Sequence, residues 1–143
     1  MAYRIQWLQG NGDLTAAFAI RLEVFCDEQG YTPEMELDEQ DRTAEHVVLW
    51  DGETPVATGR LYWNGEGVVR LGRIAVKKAW RGQGTGAQVV RAMCERAREW
   101  GAARVQLDAQ CRAVPFYEKC GFAVCGEEHM DGHVPHREME RLL

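Results

Sequence analysis

Polar and apolar residues alternate from Tyr3 to Leu8 (YRIQWL), which predicts a strand. The Asn11-Gly12-Asp13 turn follows, and Asp13 is placed to cap a helix from Leu14 to about Gln29, on which Phe18, Leu22 and Phe25 recur at helical spacing. Gly30-Tyr31-Thr32-Pro33 breaks that helix, and Glu34 to Asp41 (EMELDEQD) reads as an acidic loop. Three apolar runs come next: His46 to Trp50, Val56 to Trp63 and Val68 to Val76. Asp51-Gly52 and Asn64-Gly65 separate them, and these dipeptides between apolar runs predict antiparallel hairpins. A second helix is marked by Ala87, Val90, Met93, Cys94, Ala97 and Trp100 and ends near Gly101. Val105 to Ala109 predicts a strand, and Val114 to Lys119 a short helix begun by Pro115 and stopped by Gly121. Phe122 to Cys125 and Val134 to Leu142 predict two final strands. The order β-α-β-β-β-α-β-α-β-β describes a single α/β domain over residues 1–143, with a mixed, mostly antiparallel sheet of about seven strands flanked by helices.

The second helix opens on AWRGQGTGAQ, with Gly82, Gly84 and Gly86 in five positions and Arg81 just before them. So much exposed backbone at a helix N-terminus suits an anion, most often a phosphate. One reading is a dinucleotide turn, since Gly82-Gln83-Gly84-Thr85-Gly86-Ala87 fits G-x-G-x-x-G/A and Asp108 ends a later strand. That turn follows its strand directly, however, whereas Lys77-Lys78-Ala79-Trp80-Arg81 intervenes here. The three hairpin-linked strands also do not belong in a doubly wound parallel sheet.

Composition narrows the partners. The formal net charge is -5 over 143 residues, and no apolar run approaches a membrane span. These features speak against nucleic acid or membrane as partner. The N-terminus lacks signal-peptide architecture, and the five cysteines are odd in number with no C-x-x-C pair. A cytoplasmic protein with reduced, mostly buried thiols is expected.

Read as Arg81-x-x-Gly84-x-Gly86, the turn resembles the acetyl-CoA motif of the GNAT superfamily of N-acetyltransferases: a strand, a basic connector, Q/R-x-x-G-x-G/A, then a helix. A second motif of that family, A-x-x-F-Y-x-K-x-G-F, is matched by Ala113 to Phe122. Order and separation of the two are those of the family, and the resemblance covers nearly the whole chain. It implies the GNAT fold and an N-acetyltransferase that passes the acetyl group of acetyl-CoA directly to a primary amine of a small molecule or peptide. Backbone N–H groups from Gly82 through Gln83, Gly84, Thr85 and Gly86 would surround the pyrophosphate beside Arg81. The backbone of Ile74, Ala75 and Val76 would hold the pantetheine, and the Val76 N–H would polarise the thioester carbonyl. Tyr117 would bind the cofactor and protonate the departing thiolate. Many members have Asn where this chain has Gln110, whose longer amide would contact the cofactor arm.

The amine must also lose a proton. Glu28, Glu36, Asp38, His46, Asp108 and His136 are the candidate bases, with Glu28 placed first. The stretch R-x-x-V-F-x-x-E-Q followed by A-x-H, and the closing D-G-x-x-P-H-x-x-M, resemble a small bacterial GNAT branch. On that resemblance Arg21, Glu28, Gln29, His46 and His136 line the acceptor pocket. The acidic Glu34 to Asp41 loop hints at a cationic acceptor. His129, His133 and His136 have a spacing that zinc sites use, but Gly132 and Pro135 break a helix there, so no metal is expected. Dimers are common in the family, so a homodimer is allowed. An acyl-homoserine-lactone synthase, which shares the R-x-x-V-F opening and the fold, is the alternative enzyme. A non-catalytic acyl-CoA sensor is the alternative of another class.

Overall fold

The computed structural model describes residues 2–143. Strand β1 is Arg4–Gln9 and helix α1 is Thr15–Arg21, which runs on as a wider π-helical segment, Leu22–Glu28. Two single-turn helices follow, α2 (Pro33–Glu36) and α3 (Gln40–Thr43). Then come β2 (Glu45–Asp51), β3 (Thr54–Trp63), β4 (Val68–Val76), helix α4 (Thr85–Glu99), β5 (Arg104–Gln110) and α5 (Val114–Lys119). The chain closes with β6 (Ala123–Val124), β7 (His129–Asp131) and β8 (Val134–Leu142). All strands form one sheet, ordered β1-β2-β3-β4-β5-β8-β6, with β7 on β8. Only β4 and β5 are parallel.

Both faces of the sheet are covered. Val47 and Leu49 of β2 pack with Val89, Val90 and Met93 of α4, while Val48 between them packs with Ala17, Ile20 and Val24 of the first helix. A strand buried on both sides reads as a continuous apolar run, which is why EHVVLW lacks alternation. The predicted hairpins form as expected, and Asp13 accepts a hydrogen bond from the Thr15 N–H at the start of α1. The expectation of seven strands missed β7, a three-residue strand around a polar turn.

The acidic segment is the main correction. Three of its five carboxylates, Glu36, Asp38 and Asp41, are not free in a solvated loop but partners of three arginines. Arg21 (0% exposed) donates to Glu36 Oε1 at 2.9 Å and to Asp41 Oδ1 at 2.7 Å. Arg60 donates to Asp38 Oδ1 at 2.6 Å and to Asp41 Oδ1 at 2.9 Å. Arg73 lies 3.1 Å from both Glu36 Oε1 and Asp38 Oδ2. Three cations meet three anions, so Glu36, Asp38 and Asp41 are already paired within the protein, while Glu34 and Glu39 of the same segment stay exposed. Arg21 and His46, expected in the acceptor pocket, belong to this buried assembly instead. His46 is 1% exposed, and its Nε2 donates to the Asp41 carbonyl at 3.0 Å. Burial holds His46 below the usual imidazole range and so keeps it neutral.

Burial alone would raise Asp41, but the Arg21 hydrogen bond and charge overcome it and bring its carboxyl down to about 2. Because the folded value lies below the unfolded one, this stabilisation is complete above about pH 4 and is lost as pH falls towards 2. Glu36, pushed up by burial against the pull of Arg73 and Arg21, contributes with the opposite sign. Asp41→Asn leaves two buried guanidiniums short of charge and is expected to cost about 3 kcal/mol in urea unfolding. It is also expected to flatten the loss of stability between about pH 4 and pH 2, whereas an unchanged acid limb would show that Asp41 does not carry it.

Candidate active site

β4 and β5 run side by side for only three residues, Val68–Arg70 against Arg104–Gln106. Beyond them the strands part. The cause lies in β4, where Thr58 and Arg60 of β3 face Ala75 and Gly72, so that two residues, Arg73 and Ile74, stand opposite one. This bulge bends the strand. Arg73 takes a positive φ of 51°, a conformation that costs a non-glycine residue about 1–3 kcal/mol. Its guanidinium, held by Glu36 and Asp38 and by the Glu36 carbonyl at 3.0 Å, fixes it there. A cavity of about 580 Å³ opens between the parted strands.

The parting leaves backbone groups free. The Lys77 N–H donates to the Val56 carbonyl, so residue 77 turns its polar groups towards β3. Strand alternation then turns those of Val76 to the other edge, which β5 has left. Ile74, Ala75 and Val76 all line the cavity. Beside them α4 begins. Its N-cap, Gly84, has φ 81° and Gly82 has φ 74°, values that favour glycine, and a Cβ on either would point into open space. Gly86 sits differently: a Cβ there would lie 3.1 Å from Phe116 Cζ, so this glycine lets α5 approach α4. The Thr85 hydroxyl donates to the Trp80 carbonyl at 2.9 Å, and Gln83 Nε2 donates to the Ala79 carbonyl at 3.2 Å. The turn is thus braced from within, with Lys77, Lys78 and Arg81 next to it.

The end of the π-helical segment spans the cleft. Arg81 donates to both oxygens of Glu28 (2.7 and 3.0 Å) and through Nε to the Val76 carbonyl at 2.9 Å. The neighbouring Gln29 accepts a 2.7 Å hydrogen bond from Gln110 on β5. Glu28 and Gln29 therefore tie the two sides of the opening together. Glu28, expected as base, has both carboxylate oxygens engaged by Arg81, and Gln110 is shared between Gln29 and Arg112.

Tyr117 reaches the cavity from α5, with its ring packed edge-on against Phe116 and Phe122. Burial pushes its phenol well above the usual range, and nearby Cys120 adds to the shift. At the other end of the cavity are Asp108 of β5, Asp131 of β7 and His136 of β8. One ligand atom from each lies within 4.8 Å of the others. His136 and His129 are cross-strand partners, because Asp131-Gly132 turns a hairpin. The expectation of a broken helix missed that pairing, although the same Asp-Gly signal had marked the hairpin at residue 51. His129 and Asp131 are the residues that the sequence reading left out of the site. Both nitrogens of His129 face acceptors, the Glu127 carbonyl at 3.3 Å and Asp108 Oδ2 at 2.9 Å. Among the cysteines Cys94 alone is fully buried and Cys125 is exposed, so the thiols are less buried than expected.

A parted parallel pair over a glycine-capped helix defines an acyl-CoA N-acyltransferase architecture, and the comparisons agree. The profile described as the acetyltransferase (GNAT) family matches residues 14–122. The chain belongs to that family. It is 42% identical over 127 residues to the uncharacterized N-acetyltransferase YjcF of Bacillus subtilis, covering 88% of this chain and 90% of that protein. Escherichia coli ElaA superposes with a TM-score of 0.87 at 28% identity, over 98% of this chain and 99% of the other. A Bacillus subtilis acetyltransferase solved in complex with CoA shares the fold, with a TM-score of 0.77 at 18% identity and 99% of each chain covered. No helix among the described residues is long and apolar enough to cross a membrane.

The hydrogen bond from His129 to Asp108 raises the imidazole above its ordinary value. In an NMR titration the His129 ring is therefore expected to titrate above about 6.5, and Asp108→Asn is expected to return it towards that value. No change in the variant would show that Asp108 does not hold the proton on His129.

Proposed function

We propose that this acetyltransferase moves the acetyl group of acetyl-CoA directly to a primary amine of a small molecule or peptide. The bare edge of β4 beside the N-terminus of α4 carries this reading. The residues present fit the cofactor, because the glycine turn is open where a Cβ would project and cationic side chains stand next to it. Backbone N–H groups from Gly82 to Gly86, with the positive end of the helix dipole, would take the pyrophosphate. Arg81 would add charge once it leaves Glu28. When bound, acetyl-CoA supplies an activated acetyl thioester.

The Val76 N–H is already oriented towards the free edge and suits a developing oxyanion. Tyr117 holds its proton firmly in its buried site. A thiolate in the same surroundings is also raised in basicity, so proton transfer from the phenol remains matched. Glu28 acts here as a partner of Arg81, released as the anion binds.

Calorimetry is expected to detect acetyl-CoA and not NAD, and tight NAD binding without a CoA signal would overturn the reading. Gly84→Val, with a side chain in the pyrophosphate position, is expected to abolish the CoA signal in a folded protein. Glu28→Gln removes a half-exposed competitor for Arg81 and is expected to tighten acetyl-CoA binding by up to about fivefold. Weaker binding would mean that Glu28 helps to build the cofactor site. Tyr117→Phe is expected to leave acetyl-CoA affinity intact while kcat falls about 10²- to 10⁴-fold. Unchanged turnover would assign the thiolate proton to another group, and no turnover in the wild type on a broad amine panel would favour the sensor.

A further inference from the structure

We infer that Asp108, Asp131 and His136 form a cradle for a primary ammonium group, and that His136 is the base that deprotonates it. The inference rests on the reading above that the cavity takes an amine. His136 is only 6% exposed. Its Nδ1 lies 2.9 Å from the Val134 carbonyl, which can only accept, so Nδ1 carries the proton. In the neutral ring the Nε2 lone pair is then free. It faces Asp131 Oδ2 at 3.9 Å, beyond hydrogen-bond reach. Asp108 Oδ1 is buried without a partner among the described residues, while Asp131 stands exposed at the rim of the site. An unmatched buried acceptor calls for a donor.

The spacing says which donor. Three atoms no more than 4.8 Å apart have a centre at most about 2.8 Å from each, so an ammonium nitrogen seated there or just above their plane comes within charge-assisted N–H···O or N–H···N distance of all three. A primary ammonium has three N–H groups to match three acceptors. Zinc needs about 2.0–2.2 Å to each ligand and would require the triangle to contract. The charges agree in sign: Asp108 and Asp131 bring two carboxylates to the site, which favour a cation between them.

The proton path then closes. The ammonium gives one proton to His136 Nε2, and the freed nitrogen pair forms a bond to the thioester carbon. As the C–S bond breaks, Tyr117 gives its proton to the departing thiolate and the second nitrogen proton replaces it on the phenol. The products are the amide, the thiol and one proton that His136 returns to solvent. The charges around His136 are Asp131 and His129 on β7, Asp108 on β5, Arg112 beyond it and, two residues along β8, Glu138, which is engaged by Arg70 of β4.

NMR of the His136 ring tests the cradle without turnover. n-Butylammonium is expected to shift its signals saturably, and tetramethylammonium, which has no N–H, is expected to leave them in place. Asp131→Asn is expected to weaken the n-butylammonium response at least tenfold. With n-butylamine as acceptor and thiol release as readout, His136→Gln is expected to lower kcat at least a hundredfold with little change in KM. It is also expected to remove the acid limb of the pH profile, while urea unfolding checks that the variant is folded. Equal responses to the two cations, an unchanged acid limb, or stoichiometric zinc that n-butylammonium does not displace would overturn the inference. Separate calorimetry with acetyl-CoA keeps the two readings apart. A silent CoA titration sinks the acetyltransferase proposal, whereas CoA binding without an ammonium response sinks only the cradle.

Discussion

Everything in this molecule depends on two parallel strands that refuse to stay paired. A sheet stabilises itself by satisfying its backbone, and a strand that leaves its neighbour in mid-sheet exposes polar groups next to a hydrophobic core. β4 and β5 do so after three residue pairs. The opening survives because its cause is built into β4, as an extra residue at Arg73 and an unfavourable backbone angle pinned by side-chain charge. Remove that pin and the relaxed strand has every reason to close onto β5. The groups that the parting frees are the ones proposed above to hold an acyl thioester.

The pin is part of a larger charge assembly. Arg21, Arg60 and Arg73 come from a helix and two strands, and all converge on one short stretch of chain from Glu36 to Asp41. Buried ion pairs are poor sources of stability, since desolvation consumes much of the attraction. They are demanding about geometry, however, because each partner must meet the other. Here the demand locates the first helix over the sheet, and with it Glu28 and Gln29 across the cleft.

Much of the fold was legible because local signals and tertiary structure agree. Asp51-Gly52 and Asn64-Gly65 turn hairpins, Pro115 opens α5, and the glycine turn caps α4. The glycine turn and the free edge of β4, proposed above to take the cofactor, were legible as local structure for the same reason, since their residues are contiguous in the chain. Of the acceptor side proposed above, Asp108 and His136 were legible only singly, as candidate bases. They and Asp131 come from three strands, and nothing in their sequence spacing reveals that a parallel crossover and a terminal hairpin bring them together. The acidic run was misread because composition reports charge without reporting where the opposite charge lies. Arg21, Arg60 and Arg73 are scattered through the sequence, and two of them sit within strands that otherwise read as apolar.

The glycine turn is also tied to the far end of the chain. Thr85 spends its only hydroxyl proton on the Trp80 carbonyl, so the 2.8 Å bond between Thr85 Oγ1 and Tyr3 must be donated by the tyrosine. A phenol 82 positions away thus completes the bracing of the helix start. The two residues form a lock of one handedness. Serine can replace the threonine and keep both bonds, but phenylalanine at position 3 leaves the threonine oxygen bare, and valine at position 85 strands the phenol and the Trp80 carbonyl together. Drift at position 3 is therefore not free drift. It carries a constraint whose other half lies 82 positions further along the chain.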